Sequence, residues 1–195
     1  MTYRITSELT ISGDSEKCKA LYLNIVDHFG QIDFNNIVPM PAAIRNATDY
    51  FIKEPWMMRH WGACDVFECG VPYRCFNPWK DDFPADMEDY INLLRFQEAC
   101  EEGTPHLDPI IFTTLNTYPK EIVFALSDQN PGLTFDVRFY YEHFSCACGR
   151  MRICDGRVIQ SKVAPHHEFM TREQCQFWEN YAHQLAGLLP FEATF

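Results

Sequence analysis

Three groups of residues in this chain have the types and spacing to suggest chemistry: Cys146-Ala147-Cys148, His166-His167, and the aspartates Asp81, Asp82, Asp86 and Asp89. On a strand, Cys146 and Cys148 would share one face about 6.5–7 Å apart. A zinc site would then need Cys154, Cys64 or Cys69 brought beside them. No cysteine pair has the usual two-residue knuckle spacing, so buried thiols acting as small hydrophobes are the simpler reading. His166-His167 follows Pro165 in an expected loop, and neighbours on an extended chain point apart, which is poor ligation geometry. Seven histidines could in principle activate a cysteine nucleophile, yet no ordered motif pairs them. The four aspartates could hold magnesium for phosphoryl chemistry, but one acidic helix start explains their density as well. P-loop, Rossmann and H-E-x-x-H patterns are absent from the sequence. No catalytic residue and no cofactor are therefore assigned.

The charge pattern is more specific. Between Asp81 and Asp108 stand nine acids and one base, Arg95, giving that stretch −8 of the total −11. The rest of the chain holds 18 acids and 15 bases. The negative charge is a local feature, and such a surface repels nucleic acid and attracts basic surfaces. Trp79, Phe83 and Tyr90 lie close enough in sequence to Asp81, Asp82, Asp86, Glu88 and Asp89 to act as desolvated anchors of the same surface. Glu98, Glu101 and Glu102 continue it. Acids at the start of a helix favour its dipole, whereas Glu101 and Glu102 at the end oppose it; a solvated helix that keeps the protein soluble is one explanation, and a partner supplying positive charge is the other.

The secondary structure that carries these side chains follows from periodicity. Tyr3–Ile11 reads as a first strand, and the stripe Cys18, Leu21, Tyr22, Ile25, Val26, Phe29 as a helix. Phe34–Pro41, with prolines at 39 and 41, reads as an extended surface-crossing segment. Residues 42–58 read as irregular helix ending near Pro55-Trp56. Gly62 is expected to turn the backbone tightly beneath Trp61. A second strand runs over Val66–Cys69, a proline-rich loop over 70–84 and a helix over Ala85–Cys100. The core is the strand Ile110–Thr117, the helix Pro119–Asp128 and the strand Leu133–His143. Two strands follow, Phe144–Ile153 and Arg157–Val163, joined at the hairpin dipeptide Asp155-Gly156. A helix over Thr171–Leu185 closes the chain. The first twenty residues lack the apolar stretch of a signal peptide, and no apolar run reaches membrane length. The nine cysteines then read as reduced thiols of a protein of the cell interior.

The expected class is α+β: a ferredoxin-like split βαβ sheet extended by a C-terminal β-hairpin and helix, with an acidic helical insertion. Residues 1–165 form the core, with the insertion at 78–108, and 166–195 form a helical extension of the same domain.

Three patches carry a family resemblance. Phe34-Asn35-Asn36-Ile37-Val38-Pro39-Met40-Pro41 resembles an "f-n-x-l-v-P-M-P" segment. Trp61-Gly62 resembles the start of a "WGTKW" motif. Phe112-Thr113-Thr114 with Tyr118-Pro119, and Tyr141-Glu142, resemble "F-x-T-A-W-x-x-P" and "Y-E" positions. Together they are similar to the YubB-type, or Api92-like, ferredoxin-like domain family of plasmids and phages. The chain departs from the pattern at Ala63, Cys64, Asp65 and Leu115. The resemblance implies a compact scaffold in a mobile-element context and supplies no reaction.

The functional expectation is a non-enzymatic, anti-CRISPR-like interaction protein in a host cytoplasm. Its acidic segment would dock on a basic surface of a host nucleic-acid-binding protein or defence complex, without touching nucleic acid or membrane itself. One alternative is a small metal-binding or hydrolytic enzyme on the same scaffold. Another is a nucleic-acid-binding module stacking bases on Tyr3, Phe112 or Tyr140 of an open sheet.

Overall fold

The computed structural model describes residues 4–26, 32–67, 109–115, 117–141 and 147–188. Among these residues six strands form one sheet: β1 (Arg4–Ser12), β2 (Cys64–Phe67), β3 (Ile110–Leu115), β4 (Thr134–Tyr141), β5 (Cys148–Cys154) and β6 (Arg157–Val163). Their order is β2-β3-β1-β4-β5-β6 and every pairing is antiparallel. This is a mixed α+β fold, an antiparallel sheet flanked by helices. The order of its first four strands is consistent with a ferredoxin-like plan.

Alternation decides which side chains meet which layer. Leu133, Phe135, Val137 and Phe139 point to one face and are buried, while Thr134, Asp136, Arg138 and Tyr140 point to the other and stay half-buried. The register places Leu9 against Val137 and Ile110, so the apolar face is continuous across three strands. Two helices cover it. In α1 (Ser15–Ile25) the Asp14 carboxylate accepts from the Lys17 amide at 3.0 Å, and Cys18, Leu21 and Ile25 face inward. In α5 (Lys120–Gln129) Ile122, Val123 and Leu126 are fully enclosed. Burying each such side chain contributes about 1.5–3 kcal/mol.

The Phe34–Pro41 segment does not cross the surface as an extended chain. Asp33 caps a single helical turn, α2 (Phe34–Ile37), through the Asn35 amide at 2.8 Å. Phe34, Ile37 and Met40 are buried in the main core. The prolines forbid a strand, as expected, but three large apolar side chains in seven residues pull the segment inward. The expected helix over 42–58 is two helices, α3 (Ala42–Arg45) and α4 (Tyr50–His60), the second capped by Asp49. It does not end near Pro55. That proline sits inside α4, and the helix runs on to the buried Met57 and Trp61.

Gly62 makes the tight turn expected of it. Its φ is +76°, and a Cβ there would strike the Glu121 carboxylate and approach the Glu121 backbone nitrogen to 3.1 Å. At the far end of the sheet, Asp155 (φ 49°) and Gly156 (φ 67°) form the two-residue link between β5 and β6. Asp155 accepts from the Gly132 amide at 2.8 Å and the Gly156 amide donates to Ser127 Oγ at 3.0 Å, so the hairpin tip is tied to α5 and to the turn before β4.

The last helix, α6 (Arg172–Leu185), lies on the other face of the sheet. It opens with a reciprocal cap in which Thr171 and Gln174 bond each other's backbone amides. Tyr181, Ala182 and Leu185 pack with Cys148 and Tyr140 in a second, smaller core. This arrangement disfavours base stacking on the sheet. Phe112 faces the main core, edge-on to Phe34 at 5.7 Å, and Tyr140 packs beneath α6. Tyr3 lies outside the described residues.

Candidate functional site

The anchors Trp79, Phe83 and Tyr90 and the acids Asp81, Asp82, Asp86, Glu88, Asp89, Glu98, Glu101 and Glu102 all lie outside the described residues, as do the helix expected over Ala85–Cys100 and the loop before it. Their attachment to the scaffold is described. The chain leaves β2 at Phe67 and re-enters at the start of β3, Ile110, and these two strands pair directly, Phe67 opposite Thr113. The chain therefore leaves the sheet from its edge strand, β2, and re-enters it on the neighbouring strand, β3. The described residues carry thirteen Lys and Arg against fourteen Asp and Glu. The scaffold is thus close to neutral.

Among the described residues the candidate metal ligands do not converge. Cys148 is buried, with its Sγ 3.4 Å from the Trp178 carbonyl, and Cys64 is buried with its Sγ 3.7 Å from Glu54 Oε1. Cys154 is half-buried beside the hairpin link, while Cys146 and Cys69 lie outside the described residues. No group of three metal-ligating side chains comes together among the described residues. His166 and His167 do not point apart. A short 3₁₀ turn, His167–Phe169, brings their ring centroids to 4.6 Å, and His166 Nδ1 lies 3.6 Å from Glu168 Oε2.

What the scaffold does assemble is a cleft of about 780 Å³ at the end of the sheet where β1 and β5 begin and β4 and β6 end. One wall is aromatic. Tyr118, just before α5, stacks on Phe139 with centroids 4.0 Å apart and planes within 12°, and Tyr141 continues the wall two residues on. The Tyr118 hydroxyl donates to Met151 Sδ at 3.8 Å. Burial, reinforced by the Glu121 carboxylate, holds the Tyr118 phenol above its usual pKa, so it stays a neutral donor. Val163, Ala164 and Pro165 line the exit of β6, and His166 and His167 stand at the rim. Across from them Cys175 and Glu179, one turn apart on α6, face the same space.

These cleft residues were only partly visible in the sequence. The parity of β4 puts Tyr141 on the side of Phe139, and the spacing of Cys175 and Glu179 puts both on one face of α6. No sequence signal connects the two elements, because the connection is made by α6 folding back over the sheet.

The second face also carries an ion network. Arg150 grips Asp136 with both arms of its guanidinium, Nε to Oδ1 at 2.8 Å and Nη2 to Oδ2. Arg152 Nε lies 3.5 Å from the same carboxylate, and Arg138 lies 3.6 Å from Glu8. The hydrogen bond to Asp136 raises the Arg150 pKa further above an already high value. These pairs bridge neighbouring strands, Asp136 being directly opposite Arg152 and Arg138 opposite Arg150 and Glu8. Their role is to satisfy charge between β1, β4 and β5 beneath α6.

Comparison with family models, with curated proteins and with solved structures finds no match for this chain. No helix among the described residues is long and apolar enough to cross a membrane.

Proposed function

We propose that this chain is a non-enzymatic acidic interaction protein whose 79–102 segment docks on a basic, nucleic-acid-binding surface of a partner protein. The observation that carries the reading is the segregation of charge. The described scaffold is balanced, whereas residues 81–108 hold −8 between two paired strands at one edge of the sheet. A solvated surface needs no such concentration. A surface that must outcompete a phosphate backbone for Lys and Arg does. Steering by opposite charge would speed association, and Trp79, Phe83 and Tyr90 would supply most of the affinity once desolvated.

The resemblance of Phe34–Pro41 and Trp61-Gly62 to the YubB-type family supplies the biological setting of this proposal. It is a mobile-element protein, and its partner is a host defence complex that the acidic segment blocks in an anti-CRISPR-like manner. The insertion itself is taken as a helix over Ala85–Cys100 within 78–108.

The test is pulldown with the purified chain from host extract, at about 50 mM and about 500 mM salt, against nucleic-acid-binding defence complexes. The expected result is a complex retained at low salt, released at high salt and lost when Asp82, Asp86, Glu88 and Asp89 are all replaced by lysine. Binding that survives this reversal rejects the segment as the interface.

A further inference from the structure

The cleft between the sheet end and α6 lies at the other end of the strands from Phe67 and Ile110. It opens between β4 and β6, well away from the β2 edge. It is separate from the acidic segment's attachment and serves no step of the reading above. Its size falls in the range that encloses a small organic molecule, about 300–1,000 Å³. Its chemistry is asymmetric. Among the described residues lining it there is one carboxylate, Glu179, and neither lysine nor arginine. The Glu179 side chain is half-buried and has no hydrogen bond or ion pair among the described residues; only its backbone carbonyl is used, by His183 Nδ1 at 2.7 Å. A carboxylate facing an apolar cleft, with no lysine or arginine beside it among the described residues and only His166 and His167 at the rim, favours a cationic guest. The aromatic wall favours the same guest, since the half-buried rings of Tyr118 and Tyr141 line the cleft and aromatic faces attract cations.

We propose that this cleft is a binding site for a small aromatic or otherwise flat organic cation. The ring of the guest lies along the wall formed by Tyr118 and Tyr141, with Phe139 backing Tyr118, and its ammonium group pairs with Glu179. The lining comes from β1, β4, β5, β6, α6 and the turn before α5, so the site exists only in the folded chain. An anion of the same shape would find the Glu179 charge unopposed. An uncharged analogue would keep the stacking and lose the ion pair.

Tryptamine and indole-3-propionate test this, because they share a ring system and differ in the sign of their charge. Saturation-transfer NMR and isothermal titration on the full chain at neutral pH measure both. Tryptamine is expected to bind at least tenfold more tightly than indole-3-propionate. Glu179→Gln is expected to weaken tryptamine at least fivefold while leaving indole-3-propionate unchanged or improved. Ala164→Leu, which narrows the cleft without touching charge, is expected to weaken tryptamine as well. Circular dichroism and the thermal midpoint of each variant establish that it is folded. Three results would overturn the proposal: no tryptamine binding at millimolar concentration, equal affinity for the two probes, or a preference unchanged in folded Glu179→Gln. Loss of the pulldown interaction on charge reversal at 82–89 bears on the acidic segment alone, so the two readings fail separately.

Discussion

The indole N–H of Trp61 donates to the backbone carbonyl of Val38 at 2.9 Å, tying the end of α4 to the segment that follows α2. The Trp61 ring is also edge-on to Phe34 at 5.7 Å and to Trp56 at 5.3 Å. Two sequence patches that look unrelated on paper, Phe34–Pro41 and Trp61-Gly62, are therefore two halves of one packed unit.

Trp61→Phe keeps a ring in place but removes the indole N–H that donates to the Val38 carbonyl. The expected cost is about 1–3 kcal/mol, from the lost hydrogen bond and the partly buried carbonyl left behind. Urea unfolding should show a lower midpoint with an unchanged slope. An unchanged midpoint would mean that water replaces the indole without penalty.

Ser7 makes the opposite prediction. It is fully buried on the apolar face of β1, opposite Phe112 and Phe139, and its hydroxyl has no hydrogen-bond partner among the described residues. Removing an unpaired buried polar atom while keeping the shape is neutral or favourable, so Ser7→Ala should raise stability by up to about 1 kcal/mol. A loss of more than about 1 kcal/mol by the same urea assay would show that the hydroxyl is bonded after all.

Alkaline pH offers a third prediction. Burial, despite the nearby Arg150 guanidinium, raises the Tyr181 phenol above its usual pKa, and burial does the same for Tyr118. The unfolded chain then ionises first, near pH 10, while the folded chain still holds its protons. Stability from these two groups is complete below about pH 10 and is lost as pH climbs through the folded values. Tyr181→Phe should flatten the fall in thermal midpoint above about pH 10 relative to the parent chain. An identical pH profile for both proteins would assign the alkaline loss to other groups.

Alternation and turn chemistry made most of the sheet legible. Phe135, Val137 and Phe139 alternate with polar residues on β4, and Asp155-Gly156 marks the hairpin, because both signals depend only on near neighbours. Phe34–Pro41 misled for a related reason. Its prolines correctly excluded a strand, but whether Phe34 and Met40 point in or out depends on a groove built by residues distant in sequence. Pro55 misled similarly, since the packing of Met57 and Trp61 extends α4 past it. The histidine pair was misjudged because a single 3₁₀ turn, worth little in local propensity, reverses the separation of the two rings. The cleft was the least legible feature, because Tyr118, Tyr141 and Glu179 meet only once α6 has docked on the sheet.

The link between Phe67 and Ile110 has a consequence for how this protein could change over time. Strands β2 and β3 pair directly, and the entropy of closing a flexible connection between two such strands grows only with the logarithm of its length. Halving or doubling the joining stretch would alter stability by only about 0.6 kcal/mol. That link is a port where length and sequence can be exchanged at small thermodynamic cost, leaving the body of the molecule as a reusable mount.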